Sequence, residues 1–162
     1  LHAAAKLPGI WRLHIAGEGP EKPLLQQLAR ELGIHRQVHF DGAVSSAQMP
    51  AYLRQMDVLA LCSRTLSNWK EQFGRVLVEA MACEVPVVGS DCGEIPNVIG
   101  SAGLVFPEEN VDALYAFLLE LMQSEEKRRS LGRKGRRRVM ENYTQSQIAA
   151  QTVAVYREMN AS

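Results

Sequence analysis

The sequence predicts an α/β fold, a Rossmann-like three-layer domain on a mostly parallel sheet, and three observations predict it. Short apolar runs such as Val58-Leu59-Ala60-Leu61 and Pro86-Val87-Val88-Gly89 alternate with helical stretches of about ten residues. The 162 residues suit one domain with a sizeable core, and no repeat or low-complexity linker divides them. The right-handed crossover rule then sets helices on both faces of the sheet. In such a fold, functional residues belong in loops beyond the carboxyl ends of the strands.

The elements follow in order. An alanine-rich helical pattern through Ala3, Ala4, Ala5 and Leu7 opens the chain, and Pro8-Gly9 closes it. A chain that begins inside a helical pattern reads as a piece of a longer protein. Trp11 to Ala16 is a strand, Gly17-Glu18-Gly19-Pro20 a tight turn, and Leu24, Leu25, Leu28 and Leu32 mark a helix that Gly33 stops. Val38-His39-Phe40 is a strand running into Asp41-Gly42, followed by a short helix from Met49 to Gln55 and the strand at Val58. The polar loop Cys62 to Gln72 leads to a helix opening near Gly74, the strand Pro86 to Gly89, and a glycine- and proline-punctuated segment from Ser90 to Gly103. A short strand, Leu104-Val105-Phe106, precedes helical pattern from Val111 almost to the end.

The composition is 46% hydrophobic and 22% charged, with acids and bases in equal number, so charge gives no reason to expect nucleic acid as partner. No apolar stretch approaches the roughly eighteen residues of a membrane span, and no secretory leader is recognisable, so the expectation is a cytoplasmic protein. Cys62, Cys83 and Cys92 lack metal-ligand spacing and read as small buried hydrophobes. His2, His14, His35 and His39 are dispersed and read as surface or core-edge residues, and no Asp-x-Asp or histidine-rich cluster suggests a metal.

The most informative segment is Glu71 to Glu79. If a helix begins at Gly74, the amides of Gly74, Arg75 and Val76 lie in its first turn without internal acceptors. With the helix dipole they make a diphosphate site, to which Arg75 adds a charged donor. Glu79 lies roughly 7 Å further along the axis, at reach of ribose hydroxyls. Glu71 lies on the other side of the phosphate, where a transferable sugar would sit. By composition alone, a solvated Glu71 and an edge-of-sheet Glu79 are the favoured reading.

Here the chain resembles the family 4 retaining glycosyltransferases over essentially its whole length. Glu71, Phe73-Gly74 and Glu79-Ala80-Met81-Ala82 match the family's paired glutamates in register, and Val58 to Ser63 and Pro86 to Gly89 match its flanking strands. The resemblance implies one half of a GT-B architecture: residues 1–162 form the C-terminal donor domain, without its first strand and loop, and an N-terminal acceptor domain lies elsewhere in cis. It implies a UDP- or GDP-sugar donor, no cofactor, and metal-independent transfer. Glu71 becomes the candidate catalytic residue, on the hydroxyls of the donor sugar, and Glu79 takes the ribose. The amides of Phe73, Gly74 and Arg75 hold the diphosphate, with Gly17 and Gly19 near it and Gly42 and Val44 beside the base. An arginine and a lysine from the loop after the missing strand complete the diphosphate site.

The chain departs from the family pattern at Gly93-Glu94-Ile95-Pro96-Asn97, where a second glycine and a glutamate are usual, and at Glu84, where glycine is usual. Lys70 reads as facing either a phosphate or water, and Trp69 as packing under its loop or facing the absent domain. The basic tract from Lys127 to Arg138 reads either as a contact with anionic lipid, making the protein membrane-peripheral, or as a solvated pair of helices. The whole protein is expected to be a retaining glycosyltransferase, and the isolated chain to be inactive. A non-catalytic nucleotide or nucleotide-sugar-binding module is the alternative.

Overall fold

The computed structural model describes residues 1–161. In chain order the elements are α1 (His2–Ala5), β1 (Leu13–Ala16), α2 (Lys22–Glu31), β2 (Val38–Gly42), α3 (Met49–Leu53), β3 (Leu59–Leu61), α4 (Arg75–Ala82), β4 (Val87–Ser90), α5 (Ile95–Ile99), β5 (Leu104–Phe106), α6 (Val111–Gln123), α7 (Glu125–Asn142) and α8 (Gln145–Ala161). A turn of 3-10 helix at Gly100–Ala102 joins α5 to β5. All strand pairs are parallel. They form two sheets, β1-β2 and β3-β4-β5, in place of the single sheet expected. Among the described residues β1 pairs with β2 alone and β3 with β4 alone, so each sheet has an open edge there.

β4 sets the layers of the second sheet because every residue of it is buried. Val87 packs with Leu77, Ala80, Met81 and Ile95 on one face, while Val88 packs with Phe106, Leu121 and Leu131 on the other. A smaller cluster of Ala29, Ile34 and Val38 supports β1 and β2. Contacts of α1 with α6, and an ion pair of Lys6 just past α1 with Asp112, tie the two parts together.

The Ser90 to Gly103 segment contains α5, which the sequence reading missed. Pro96 sits in the first turn of α5, where its missing N–H would have had no helical acceptor, so it is compatible with a helix start inside a segment read only as glycine- and proline-punctuated. The cysteines divide: Cys92 is buried, Cys83 half-buried and Cys62 exposed. The expectation of three buried thiols fails at Cys62, which follows the open-edged strand β3.

Candidate functional site

The loop between β3 and α4 is shaped by its last residue. Gly74 caps α4 with φ +72° and ψ +53°, a left-handed conformation that a β-carbon disfavours. A side chain there would also press against Leu77 and Leu61. α4 then runs with Leu77, Ala80 and Met81 fully buried, which fixes the outward direction of Arg75 and Glu79.

Glu71 occupies part of the anion site expected at this helix start. Its Oε1 accepts hydrogen bonds from the amides of Gly74 at 3.0 Å and Phe73 at 3.4 Å, and its Oε2 accepts one from Ser63 Oγ at 3.3 Å. A carboxylate beside first-turn amides gains from both the bonds and the helix dipole. The expectation that the Phe73, Gly74, Arg75 and Val76 amides all face a diphosphate therefore needs correcting. Only Arg75 and Val76 keep amides without an acceptor among the described residues.

Arg75 is turned along the helix. Its Nε donates to Glu79 Oε1 at 2.8 Å, so the two expected ligand contacts hold each other. Arg75 is 74% exposed and Glu79 29%, and an exposed i,i+4 pair of this kind is worth roughly 0.3–0.5 kcal/mol. A ligand can displace it at little cost.

The backbone of Glu71 is fixed as firmly as its side chain. Its amide donates to Cys92 Sγ at 3.5 Å, and its carbonyl accepts from the Glu94 amide at 3.0 Å. Gly93 lies so close that a β-carbon there would collide with the Glu71 carbonyl oxygen. The retained glycine of the departing motif thus lets the β4–α5 loop lie against Glu71. Of the two altered positions, Asn97 Nδ2 donates to Glu94 Oε2 at 2.9 Å.

Nearer β3 the same loop is clamped by Glu108. Thr65 donates its amide and its hydroxyl to the two oxygens of Glu108, each at 2.6 Å, and the Glu108 amide donates to Asp91 Oδ1 at 2.7 Å. The Thr65 hydroxyl, then its amide, hold the Glu108 carboxyl below its ordinary range, with a smaller contribution from Cys92. Ser90 Oγ donates to the carbonyl of Ser63. Sequence reasoning missed Thr65, Cys92 and Glu108 as supports, because no spacing along the chain announces contacts among three loops. Trp69 and Leu66 form a small hairpin bridge further out, each about half exposed, so Trp69 does not pack under the loop.

The other expected ligand residues gather at the ends of β1 and β2. The Gly17 amide donates to the Gly42 carbonyl at 2.6 Å, and Glu18, paired with Lys22, lies over Gly42. Gly19 has open space around it and Val44 is half-buried. These four belong to the first sheet and Glu71 to Glu79 to the second. On the exposed side of the first sheet, Tyr52 OH donates to Asp41 at 2.7 Å, and His14, stacked on His39, lies 2.8 Å from the same oxygen. The Tyr52 bond above all lowers the Asp41 pKa, and burial followed by that bond raises the Tyr52 pKa.

A concavity of about 220 Å³ opens between the start of α1 and the ends of β3, β4 and β5, lined by Leu1, Cys62, Ser63, Ser90 and Phe106 among others. It borders Ser63, the hydroxyl partner of Glu71.

The basic tract does not form a free cationic face. Arg128 donates to the Leu121 and Met122 carbonyls at the end of α6, Arg136 to Ala82 at the end of α4, and Arg138 to Asn97 and Val98 in α5. Cations at helix ends satisfy carbonyls that lack helical partners. Gly132 and Gly135 let α7 approach Glu84 and Met81 closely, so α7 braces α4 from behind. Among the described residues no helix is long and apolar enough to cross a membrane.

Comparison with known proteins bears on the family and the fold. The family model described as Glycosyl transferases group 1 matches residues 1–138. The chain is 39% identical over 135 residues to MMP alpha-(1->4)-mannosyltransferase of Mycolicibacterium hassiacum, covering 81% of this chain and 31% of that protein. It is 33% identical over 147 residues to N-acetyl-alpha-D-glucosaminyl L-malate synthase of Bacillus anthracis, covering 90% of this chain and 37% of the other. The chain thus spans about a third of these relatives. Among solved structures, sucrose-phosphate synthase of Thermosynechococcus elongatus superposes with a TM-score of 0.84 at 27% identity, over 98% of this chain and 41% of that one. The C-terminal domain of a glycosyl transferase group 1 family protein of Francisella tularensis shares the fold, with a TM-score of 0.70 at 20% identity over 88% of this chain and 90% of that domain.

Proposed function

The chain belongs to the glycosyl transferases group 1 family, with the Rossmann-like fold of one half of a GT-B architecture, and from that premise we propose that it binds the donor of a retaining glycosyltransferase. The donor is a UDP- or GDP-sugar, and the acceptor is a hydroxyl presented by a second domain. The observation that carries this reading is the α4 start, with two unsatisfied amides between a carboxylate on each side.

In this reading the diphosphate meets the Arg75 and Val76 amides, where the helix dipole stabilises negative charge growing on the leaving group. Glu79 exchanges the Arg75 guanidinium for ribose hydroxyls, which frees Arg75 to reach the phosphates. Glu71 stays on the Phe73 and Gly74 amides and offers Oε2 to a sugar hydroxyl, orienting the sugar without attacking it. Gly17 and Gly19 border the diphosphate, and Gly42 and Val44 the base. The open edges of β1 and β3 support one further parallel strand between them, ahead of α1 in the complete domain. Contact of the basic tract with anionic lipid would fall to Arg133, Lys134 and Arg137, which are exposed and have no ion-pair partner among the described residues.

Calorimetry of the full-length protein with UDP, GDP, UDP-glucose and GDP-mannose, alongside a transfer assay, tests the reading. Binding that Glu79→Ala weakens, with transfer to an acceptor sugar or lipid, is expected. Binding without transfer in the full-length protein would leave a nucleotide-binding module instead, and turnover by the isolated 162 residues would overturn the two-domain requirement.

A further inference from the structure

Glu71 is engaged at every polar atom it has: its amide by Cys92, its carbonyl by Glu94, and its two carboxylate oxygens by Gly74, Phe73 and Ser63. The Cys92 contact reaches furthest. Cys92 is fully buried, and its Sγ lies 3.6 Å from Thr65 Oγ1. Thr65 has one hydroxyl proton, which the 2.6 Å bond to Glu108 Oε1 uses. With the Thr65 proton committed to Glu108, the Cys92 thiol proton is shared between Thr65 Oγ1 and the Glu108 carboxylate, while its sulfur accepts from the Glu71 amide. Glu108 is itself anchored, because its other oxygen takes the Thr65 amide and its own amide is bound to Asp91.

We propose that Glu108, Thr65 and Cys92 form a positioning relay that sets Glu71 against the donor sugar. It joins the loops after β3, β4 and β5, so the height of the Glu71 carboxylate above the site depends on all three. The relay rests on the reading of Glu71 as the sugar contact. Nucleotide contacts run through α4 and Glu79, outside the relay, so its loss acts on the sugar part of the donor alone. A purely structural role would weaken nucleotide and nucleotide-sugar binding together.

The test uses the full-length protein with Thr65→Val, Thr65→Ser, Cys92→Ala and Glu71→Ala. For each, calorimetry gives the ratio of UDP-glucose to UDP affinity and of GDP-mannose to GDP affinity. For the pair that the unaltered protein binds, the ratio is expected to fall about tenfold in Glu71→Ala and roughly fivefold in Thr65→Val and Cys92→Ala, the size of one net hydrogen bond. Thr65→Ser, which keeps the hydroxyl, restores it, and in the Thr65 and Cys92 variants affinity for the nucleoside diphosphate stays constant. If Glu71→Ala lowers the ratio and Thr65→Val does not, the relay is overturned while the sugar contact stands. Equal loss of both affinities in Thr65→Val also overturns it. A ratio unchanged in Glu71→Ala overturns the sugar contact, and the relay with it. Should Cys92→Ala fail to fold, the Thr65 pair decides alone.

Discussion

Around β3, β4 and β5 a core running from Leu53 to Val139 closes over both faces of β4, whereas around β1 and β2 only Ala29, Ile34 and Val38 form a buried cluster. The proposed donor contacts divide along the same line. Glu71, Arg75, Val76 and Glu79 stand on the enclosed half, with the β3–α4 loop pinned from two neighbouring loops. Gly17, Gly19, Gly42 and Val44 stand on the thin half, at the end of the β1–β2 ladder where the Gly17 amide bonds to the Gly42 carbonyl. Catalysis demands sub-ångström placement of the reacting sugar and leaving group, and a base bound through backbone groups tolerates more movement. The denser packing lies under the proposed sugar and diphosphate contacts.

The sharpest way to break that comparison is to loosen the brace behind α4. Gly132→Ala forces a β-carbon into the Glu84 carbonyl oxygen and pushes α7 off α4. Overpacking of this kind is expected to destabilise by about 3 kcal/mol, read from urea unfolding. Gly19→Ala, with open space around it, should change stability little by the same measurement. A loss at Gly19 as large as that at Gly132 would erase the distinction between the halves.

Next in size is the separation of binding from stability within the enclosed half. Glu79→Gln is expected to lower nucleotide affinity about tenfold, since a bond to a charged group is lost. Its exposed pair with Arg75 contributes roughly 0.5 kcal/mol or less to folding, so unfolding should barely shift. Titration calorimetry beside thermal unfolding checks both.

Glu84 gives a smaller effect of opposite sign. It sits just past α4 with φ +61°, where glycine is free of strain, and its ion pair with Arg136 is half exposed. Glu84→Gly is expected to stabilise by about 1 kcal/mol, the left-handed penalty less the lost pair, read as a higher urea midpoint.

The smallest effect is pH-dependent. Glu108 and Asp41 both titrate lower in the folded chain than their ordinary values of 4.5 and 3.8. Their contributions are therefore complete above those values and disappear as pH falls through the lower folded pKa. Glu108→Gln should flatten the acid-side loss of stability below about pH 4.5. A steeper loss in the variant would contradict the sign.

What could be read in the sequence follows from how far each contact reaches along the chain. The parallel α/β class rests on local periodicity and was legible, whereas spacing alone favoured a solvated Glu71 and an edge-of-sheet Glu79, and only the family resemblance singled the segment out. The capture of the Phe73 and Gly74 amides by Glu71 is also local, but it is a competition between two anions for one site, and spacing does not show which wins. Cys92 and Glu108 are distant from Glu71 in sequence, and their roles exist only once three strands lie side by side. The tract from Lys127 to Arg138 left lipid contact and a solvated surface both open, because arginines look alike in sequence, whether they face lipid, water or the carbonyl ends of α4, α5 and α6.

The central claim is that the start of α4 holds the diphosphate of a sugar nucleotide between Glu71 and Glu79. A crystal structure of the full-length protein with UDP or GDP tests it most directly. The account predicts phosphate oxygens on the amides of Arg75 and Val76, ribose on Glu79, and Glu71 still on Phe73 and Gly74. A nucleotide bound away from α4, or a phosphate that displaces Glu71 from those two amides, would contradict it.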